Sequence, residues 1–266
     1  MSADAIAAAE SGLLEVRGLV KRFGGVTAVN ALDMTVRKGD VHALIGPNGS
    51  GKTTTLNVIS ALYRSDGGSI RFDGTELSGK PAHAIARLGV GRTFQNIRLF
   101  GDLSVVENVM IGRHVRTRTG FVGALLPGGA TAREERATRD RACELLDFVG
   151  IGSVANAQAR SLPYGDQRRV EIARALAGEP RLLLLDEPAA GMNPTETDDL
   201  VALLRRIRDG GTTLLLIEHD MNLVMSVSDR ITVLNFGQHI AEGPPDEIAR
   251  NADVITAYLG GTLDAA

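Results

Sequence analysis

The sequence predicts an α/β fold: a parallel sheet covered on both faces by helices, with an antiparallel β portion near its start and a helical segment inserted in the middle. Three observations predict it. From Asp166 onward, short runs that are apolar throughout alternate with helical stretches, the pattern of strands buried on both faces. Near the N-terminus, apolar and polar residues alternate in the manner of half-buried strands. Between about Gly91 and Ala159 the strand signal fades and helical patterning takes over.

Taken in order, Leu13 to Leu19 and Ala31 to Val36 are the alternating strands, and Lys38-Gly39-Asp40 leads into the apolar run Val41 to Ile45, a buried strand. Lys52 to Leu62 has a helical pattern that stops before the turn cluster Ser65-Asp66-Gly67-Gly68, and Ser69 to Phe72 reads as a strand closed by Asp73-Gly74. In the insert, Val105 to Arg113 is helical, and a charged stretch from Thr131 to Arg141 runs on as helix to Val149. Arg113 to Ala130, with its Pro127-Gly128-Gly129, reads as an exposed loop longer than a compact domain usually needs. A helix then runs through Ala177, followed by a strand at Arg181 to Leu185, a helix at Thr195 to Arg208, a strand at Thr212 to Ile217, a helix at Met221 to Val227 and a strand at Ile231 to Leu234. The expected organisation is a single domain over 13–260, in which 13–90 and 166–260 form the core with its β subdomain. Residues 91–165 form a helical subdomain whose long insert covers 113–140.

The 266 residues, 44% of them apolar, suit one large globular domain or two small ones. Lys+Arg 29 against Asp+Glu 32 gives a net charge of -3, which leaves no basic footprint for a nucleic-acid backbone. The lysines are Lys21, Lys38, Lys52 and Lys80; their scarcity beside arginine carries no functional meaning. The single cysteine, Cys143, builds neither a disulfide framework nor a cysteine zinc site, suits a reducing compartment and reads as a small apolar residue on the helix Arg141 to Val149. No run approaches the roughly 18 to 20 apolar residues of a membrane span, the longest aliphatic run being Leu182 to Leu185. The first ten residues are acidic and alanine-rich, unlike a secretory signal. A cytosolic protein that meets membrane through a partner is expected.

Gly46-Pro47-Asn48-Gly49-Ser50-Gly51-Lys52-Thr53 fits G-x-x-x-x-G-K-[ST], and it lies where that pattern has meaning, between a buried strand and a helix. Glycines let backbone N–H groups converge on phosphate oxygens, and the helix N-terminus adds positive potential. Lys52 reaches the β and γ phosphates and the Thr53 hydroxyl ligates Mg²⁺; the nucleotide-binding set runs on through Thr54. The core is therefore expected to be a P-loop NTPase of RecA-like type.

Asp186-Glu187-Pro188 follows the apolar strand at Leu182 to Leu185, at the sheet edge where ligands of open α/β folds bind. On its own such a pair serves as a helix cap or a solvated turn. Beside a phosphate loop, Asp186 is expected to hold Mg²⁺ through its water shell and Glu187 to accept the proton of an attacking water. Glu218-His219-Asp220 ends another apolar strand, and position alone leaves His219 open between a donor to the γ phosphate and a capping or surface histidine. His42, His83, His114 and His239 have no catalytic context.

The phosphate loop, Thr93-Phe94-Gln95, the run Leu162-Pro163-Tyr164-Gly165-Asp166-Gln167-Arg168-Arg169-Val170, Asp186-Glu187-Pro188 and His219 stand in the order of an ABC transporter ATPase. The resemblance extends from about Leu13 to Gly260. It is most similar to the ATP-binding subunit of branched-chain amino acid importers, the larger of two paired ATPases, through Gly91 to Phe100, the long insert after Gly112 and the tyrosine in the signature run. The resemblance implies that Phe23 stacks on adenine, that Gln95 touches Mg²⁺ or the lytic water and relays to the membrane subunit, and that Gly165 closes over the ATP of the opposite subunit. It further implies Glu187 as general base and His219 as γ-phosphate switch. The implied partners are a second ATP-binding subunit, different or identical, integral membrane permease subunits and, indirectly, a periplasmic binding protein, with the chain peripheral on the cytoplasmic face of the inner membrane.

Two positions depart from that pattern. Pro163 stands where the signature commonly has serine, which removes a hydroxyl and an N–H, and Asn193 stands where aspartate is usual. The competing readings are an ATPase of a related system for amides, urea or lipopolysaccharide export, a soluble ABC protein that clamps DNA or ribosomes, and a catalytically dead binding module. Intact Glu187 and His219 oppose the last. One cassette without sustained heptads opposes the DNA or ribosome clamp.

Overall fold

The computed structural model describes residues 12–116 and 129–260. Two sheets form the framework. The first is antiparallel, in the order β2-β1-β4-β5, from β1 (Leu14–Phe23), β2 (Val26–Val36), β4 (Gly67–Phe72) and β5 (Thr75–Glu76). The second has the order β10-β9-β3-β8-β7-β6, from β3 (Val41–Ile45), β6 (Val90–Arg92), β7 (Leu182–Asp186), β8 (Thr213–Ile217), β9 (Arg230–Asn235) and β10 (Gln238–Gly243). All its pairings are parallel except the hairpin of β9 with β10.

The apolar runs have the physical cause the sequence suggested, since both faces of this sheet are covered. Leu183 and Leu185 of β7 and Leu214 and Leu216 of β8 face one core. It is built with α3 (Val105–Gly112), α4 (Gly129–Phe148), α5 (Tyr164–Ala177) and α6 (Pro194–Asp209). Leu182, Leu184, Leu215 and Ile217 face a second core shared with α1 (Lys52–Ile59) and the antiparallel sheet. A third, smaller cluster lies at the β9–β10 end, under α7 (Met221–Val227), α8 (Pro245–Ile248) and α9 (Ala252–Gly260). No helix among the described residues is long and apolar enough to cross a membrane.

Three elements correct the sequence reading. Val90–Arg92 is a strand paired in parallel with β7, so the large sheet extends past Gly91, where the helical insert was expected to begin. Three residues are too few to show a period. Before it lies α2 (Ala82–Leu88), closed by Gly89 at φ 107, and β10 completes a hairpin after β9. The expected loop from Arg113 to Ala130 begins as a 3-10 turn at Arg113–Val115 and its last two residues belong to α4, while 117–128 lie outside the described residues.

Candidate functional site

The phosphate loop joins β3 to α1 at the C-terminal edge of the parallel strands, and β6, β7 and β8 end at the same edge. Gly46, Gly49 and Gly51 have φ of 147, 77 and 100, values that L side chains resist. A Cβ on Gly46 would sit 2.1 Å from the Leu234 carbonyl oxygen, so the loop passes β9 too closely for any side chain there. The turn after β9 adds a hydrogen bond from Gly237 N–H to Ser50 O at 3.1 Å. Gly51 caps α1 without any side-chain acceptor and no acidic residue occupies the first turn, which leaves that helix end to an anion. Lys52 Nζ donates to the carbonyls of Gly46 at 2.7 Å and Pro47 at 3.0 Å. Burial pulls its pKa down against the pull of Glu187 and Asp186. Ser50 Oγ is buried in this loop with no partner among the described residues.

Asp186 closes β7, almost wholly buried. Thr53 Oγ1 donates to its Oδ1 at 3.5 Å and Arg92 Nη2 to its Oδ2 at 3.1 Å. Burial raises its pKa and the Arg92 guanidinium opposes that rise. Glu187 turns off the strand into the left-handed region at φ 48, its N–H donating to Ile217 O at 2.9 Å. There its Oε2 accepts from Gln95 Nε2 at 3.0 Å. Among the described helices whose caps are defined, neither carboxylate is the capping group; Asn193 caps the helix that follows.

His219 is 65% exposed, with Nδ1 3.7 Å from Glu218 Oε2. The capping role falls to its neighbour Asp220, whose side chain accepts from Asn222 and Leu223 N–H. Phe23 is 43% exposed, braced edge-on by Tyr63 at 5.3 Å between centroids, with Lys21 Nζ 5.2 Å from its ring centre. Gly165 lies in the first turn of α5, so close to Glu196 that a Cβ would meet Oε1 at 2.9 Å. Pro163 is the N-cap of α5 and supplies no side-chain cap. Asn193 caps α6 in a reciprocal capping box with Glu196, a task its amide oxygen performs as a carboxylate would.

Sequence reasoning missed four buried or nearly buried charges. Arg92, quoted only as part of a motif, is the ion-pair partner of Asp186. Arg168 and Glu171 form an ion pair at 2.7 Å with both side chains fully buried. Arg168 also donates to Phe94 O at 2.7 Å and Gln95 O at 2.9 Å, and Glu171 accepts from Phe94 N–H at 3.2 Å. Their i,i+3 spacing was the available signal. Glu218, also buried, accepts from Ala189 N–H at 2.7 Å and ties the loop after Glu187 to the end of β8.

The donor set suits Mg²⁺. No cluster of three or more His, Cys, Asp or Glu able to hold a metal exists among the described residues. One hydroxyl and one carboxylate beside a phosphate loop match an ion that keeps its waters and takes phosphate oxygens.

A family model described as ABC transporter matches residues 29–190, and a second, described as branched-chain amino acid ATP-binding cassette transporter, matches 238–264. The chain belongs to the ABC transporter family. It is 50% identical over 249 residues to the high-affinity branched-chain amino acid transport ATP-binding protein BraF of Pseudomonas aeruginosa, covering 93% of this chain and 98% of that one. It is 47% identical, with the same coverage, to LivG of Escherichia coli K12. The lipopolysaccharide export system ATP-binding protein LptB of Escherichia coli K12 is 36% identical, over 93% of this chain and 97% of that one. Among solved structures, the ADP conformation of an ATP-binding cassette from an ABC transporter superposes with TM-score 0.81 at 31% identity, covering 93% of this chain and 98% of that one. A dimeric bacterial ABC transporter cassette gives TM-score 0.74 at 26% identity, over 87% and 98%.

Proposed function

We propose that the chain is the ATP-hydrolysing subunit of an ABC importer for branched-chain amino acids, peripheral at the cytoplasmic face of the inner membrane. The observation that carries the hydrolytic reading is the meeting of Gln95 with Glu187 beside the Thr53–Asp186 pair, at the rim of the phosphate loop. The cargo rests on the likeness to BraF and LivG and on the family model at 238–264.

In this reading the amides from Gly46 to Thr54 and the Lys52 ammonium bind the triphosphate of ATP, and Phe23 stacks on adenine. Thr53, Asp186 and Gln95 are the residues that would hold Mg²⁺, which would supply charge neutralisation. Glu187 takes the proton of the attacking water, which Gln95 helps to orient through their shared hydrogen bond. His219, exposed at the end of β8, donates to the γ phosphate. One chain leaves the nucleotide open on one side, so a second ATPase, which makes this a heterodimer or a homodimer, closes it with its own counterpart of Gly165.

Permease subunits dock in the groove of about 480 Å³ between the sheet edge and the helical insert, where Leu62, Phe94, Phe100 and Ile111 lie on the walls. A periplasmic binding protein acts at one remove. Purified chain with Mg-ATP should hydrolyse it, and Glu187→Gln should retain ATP and dimerise; calorimetry showing no nucleotide binding by folded protein would end the proposal. Loss of leucine uptake, with urea uptake intact, on removing the chain from its host tests the cargo.

A further inference from the structure

The carboxylate assigned to the metal already has a cation. Arg92 Nη2 lies 3.1 Å from Asp186 Oδ2, the two side chains only 9% and 1% exposed. The guanidinium is fixed on its other sides as well. Nη1 donates to Ser60 Oγ at 2.6 Å and Nε to Thr93 O at 3.3 Å. The Phe94 ring lies 5.2 Å away, itself faced by Arg98 at 5.0 Å. Arg92 is thus held on Asp186 by a built pocket. The two carboxylate oxygens are divided: Oδ1 faces Thr53 and the phosphate loop, Oδ2 faces Arg92. Arg92, Ser60, Phe94 and Arg98 are also walls of the apolar groove, so one side chain spans from the groove to the metal carboxylate.

We propose that Arg92 is a positioning residue that competes with Mg²⁺ for Asp186, so that metal affinity is set in part from the groove. The proposal rests on the reading of Asp186 as the metal carboxylate. A divalent ion on the Oδ1 side shares that carboxylate with a fixed positive charge on the Oδ2 side, and two cations on one buried anion each weaken the other's hold. An occupant of the groove that draws Arg92 off Asp186 strengthens metal binding. By reciprocity, metal binding favours the arrangement in which Arg92 is turned to the groove. Glu187, adjacent in sequence, adds negative charge that acts on Asp186 and on Lys52 of the loop.

The experiment measures Mn²⁺ binding to the full chain saturated with ADP, by electron paramagnetic resonance of the free ion, so that no turnover intervenes. Arg92→Gln, which keeps a donor and loses the charge, should tighten Mn²⁺ about tenfold, and Arg92→Lys should stay within about twofold of the parent. Ser60→Ala, which frees the far side of the guanidinium, should tighten it about threefold. Unchanged or weaker binding in folded Arg92→Gln, or a Lys variant that behaves as the Gln variant does, overturns the proposal. Should Arg92→Gln not fold, unchanged affinity in Ser60→Ala overturns it alone. Asp186→Asn separates the two levels. If it leaves Mn²⁺ affinity untouched, the metal reading fails; if it weakens binding while Arg92→Gln does not tighten it, only the role of Arg92 fails.

Discussion

Arg168→Met removes the cation from the ion pair with Glu171, in which both side chains are fully buried. The Arg168 guanidinium donates to Glu171 Oε2, Phe94 O and Gln95 O at 2.7, 2.7 and 2.9 Å, with Tyr164 Oη at 3.3 Å. Methionine fills much of the volume and satisfies none of these acceptors. Breaking a buried pair from one side costs about 3–5 kcal/mol, because the remaining charge stays buried. Glu171 retains the Phe94 N–H and Arg174 at 3.7 Å, which puts the cost at the lower end, about 3 kcal/mol. Burial already raises the Glu171 pKa and Arg168 opposes the rise. Without Arg168 it rises further, so the native variant keeps a proton that the unfolded chain releases, and the deficit shrinks as pH falls from 8 to 5. Adding Glu171→Gln should recover about half of the loss. Urea unfolding followed by circular dichroism at both pH values measures all of this. A loss below about 1 kcal/mol at pH 8, or an equal loss at pH 5, refutes the reasoning.

Other outcomes follow from the same geometry. His42 is fully buried, bonded through Nε2 to Thr232 Oγ1 at 2.8 Å, and burial lowers its pKa from 6.5 to about 4. The unfolded chain then binds the extra proton, so stability falls by about 3 kcal/mol as pH drops from 6.5 to 4, and a His42→Gln variant should show a flatter curve in chemical denaturation. Gly46→Ala should lower nucleotide affinity by at least about tenfold in a fluorescent-nucleotide titration, since its Cβ would meet Leu234 O at 2.1 Å. Asn193→Ala should cost about 1 kcal/mol through the lost capping box and Asn193→Asp little, read from thermal unfolding.

The sequence showed what period and motif encode. The apolar runs at Val41 to Ile45, Leu182 to Leu185 and Thr213 to Ile217 are central strands because both faces are covered, and Met221–Val227 matches its expected bounds. The conformation of the Gly46 to Thr53 loop was legible because it is local, a backbone path that glycine favours. What stayed hidden is carried by distant contacts. Val90–Arg92 is a strand only because β7 offers an edge to pair with. Arg92 lies 94 positions from Asp186 and Phe94 lies 77 from Glu171, so no window of sequence contains either contact. A charged residue also reads as surface until the fold supplies its partner.

The hidden contacts converge on residues 92–95, and that convergence bears on how motion passes through the molecule. Arg92 grips Asp186, Gln95 grips Glu187, and the Phe94 and Gln95 carbonyls are both held by Arg168 of α5. The Phe94 N–H is held by Glu171 of the same helix. A rotation of α5 against the large sheet therefore meets no slack loop at this point. It either carries Gln95 with it or breaks the hydrogen bonds to Arg168, each worth about 1.5–3 kcal/mol because one partner is charged. If the segment moves, the Gln95–Glu187 contact changes directly. The link between α5 and the carboxylates of Asp186 and Glu187 is thus one short stretch of backbone, hydrogen-bonded at both ends.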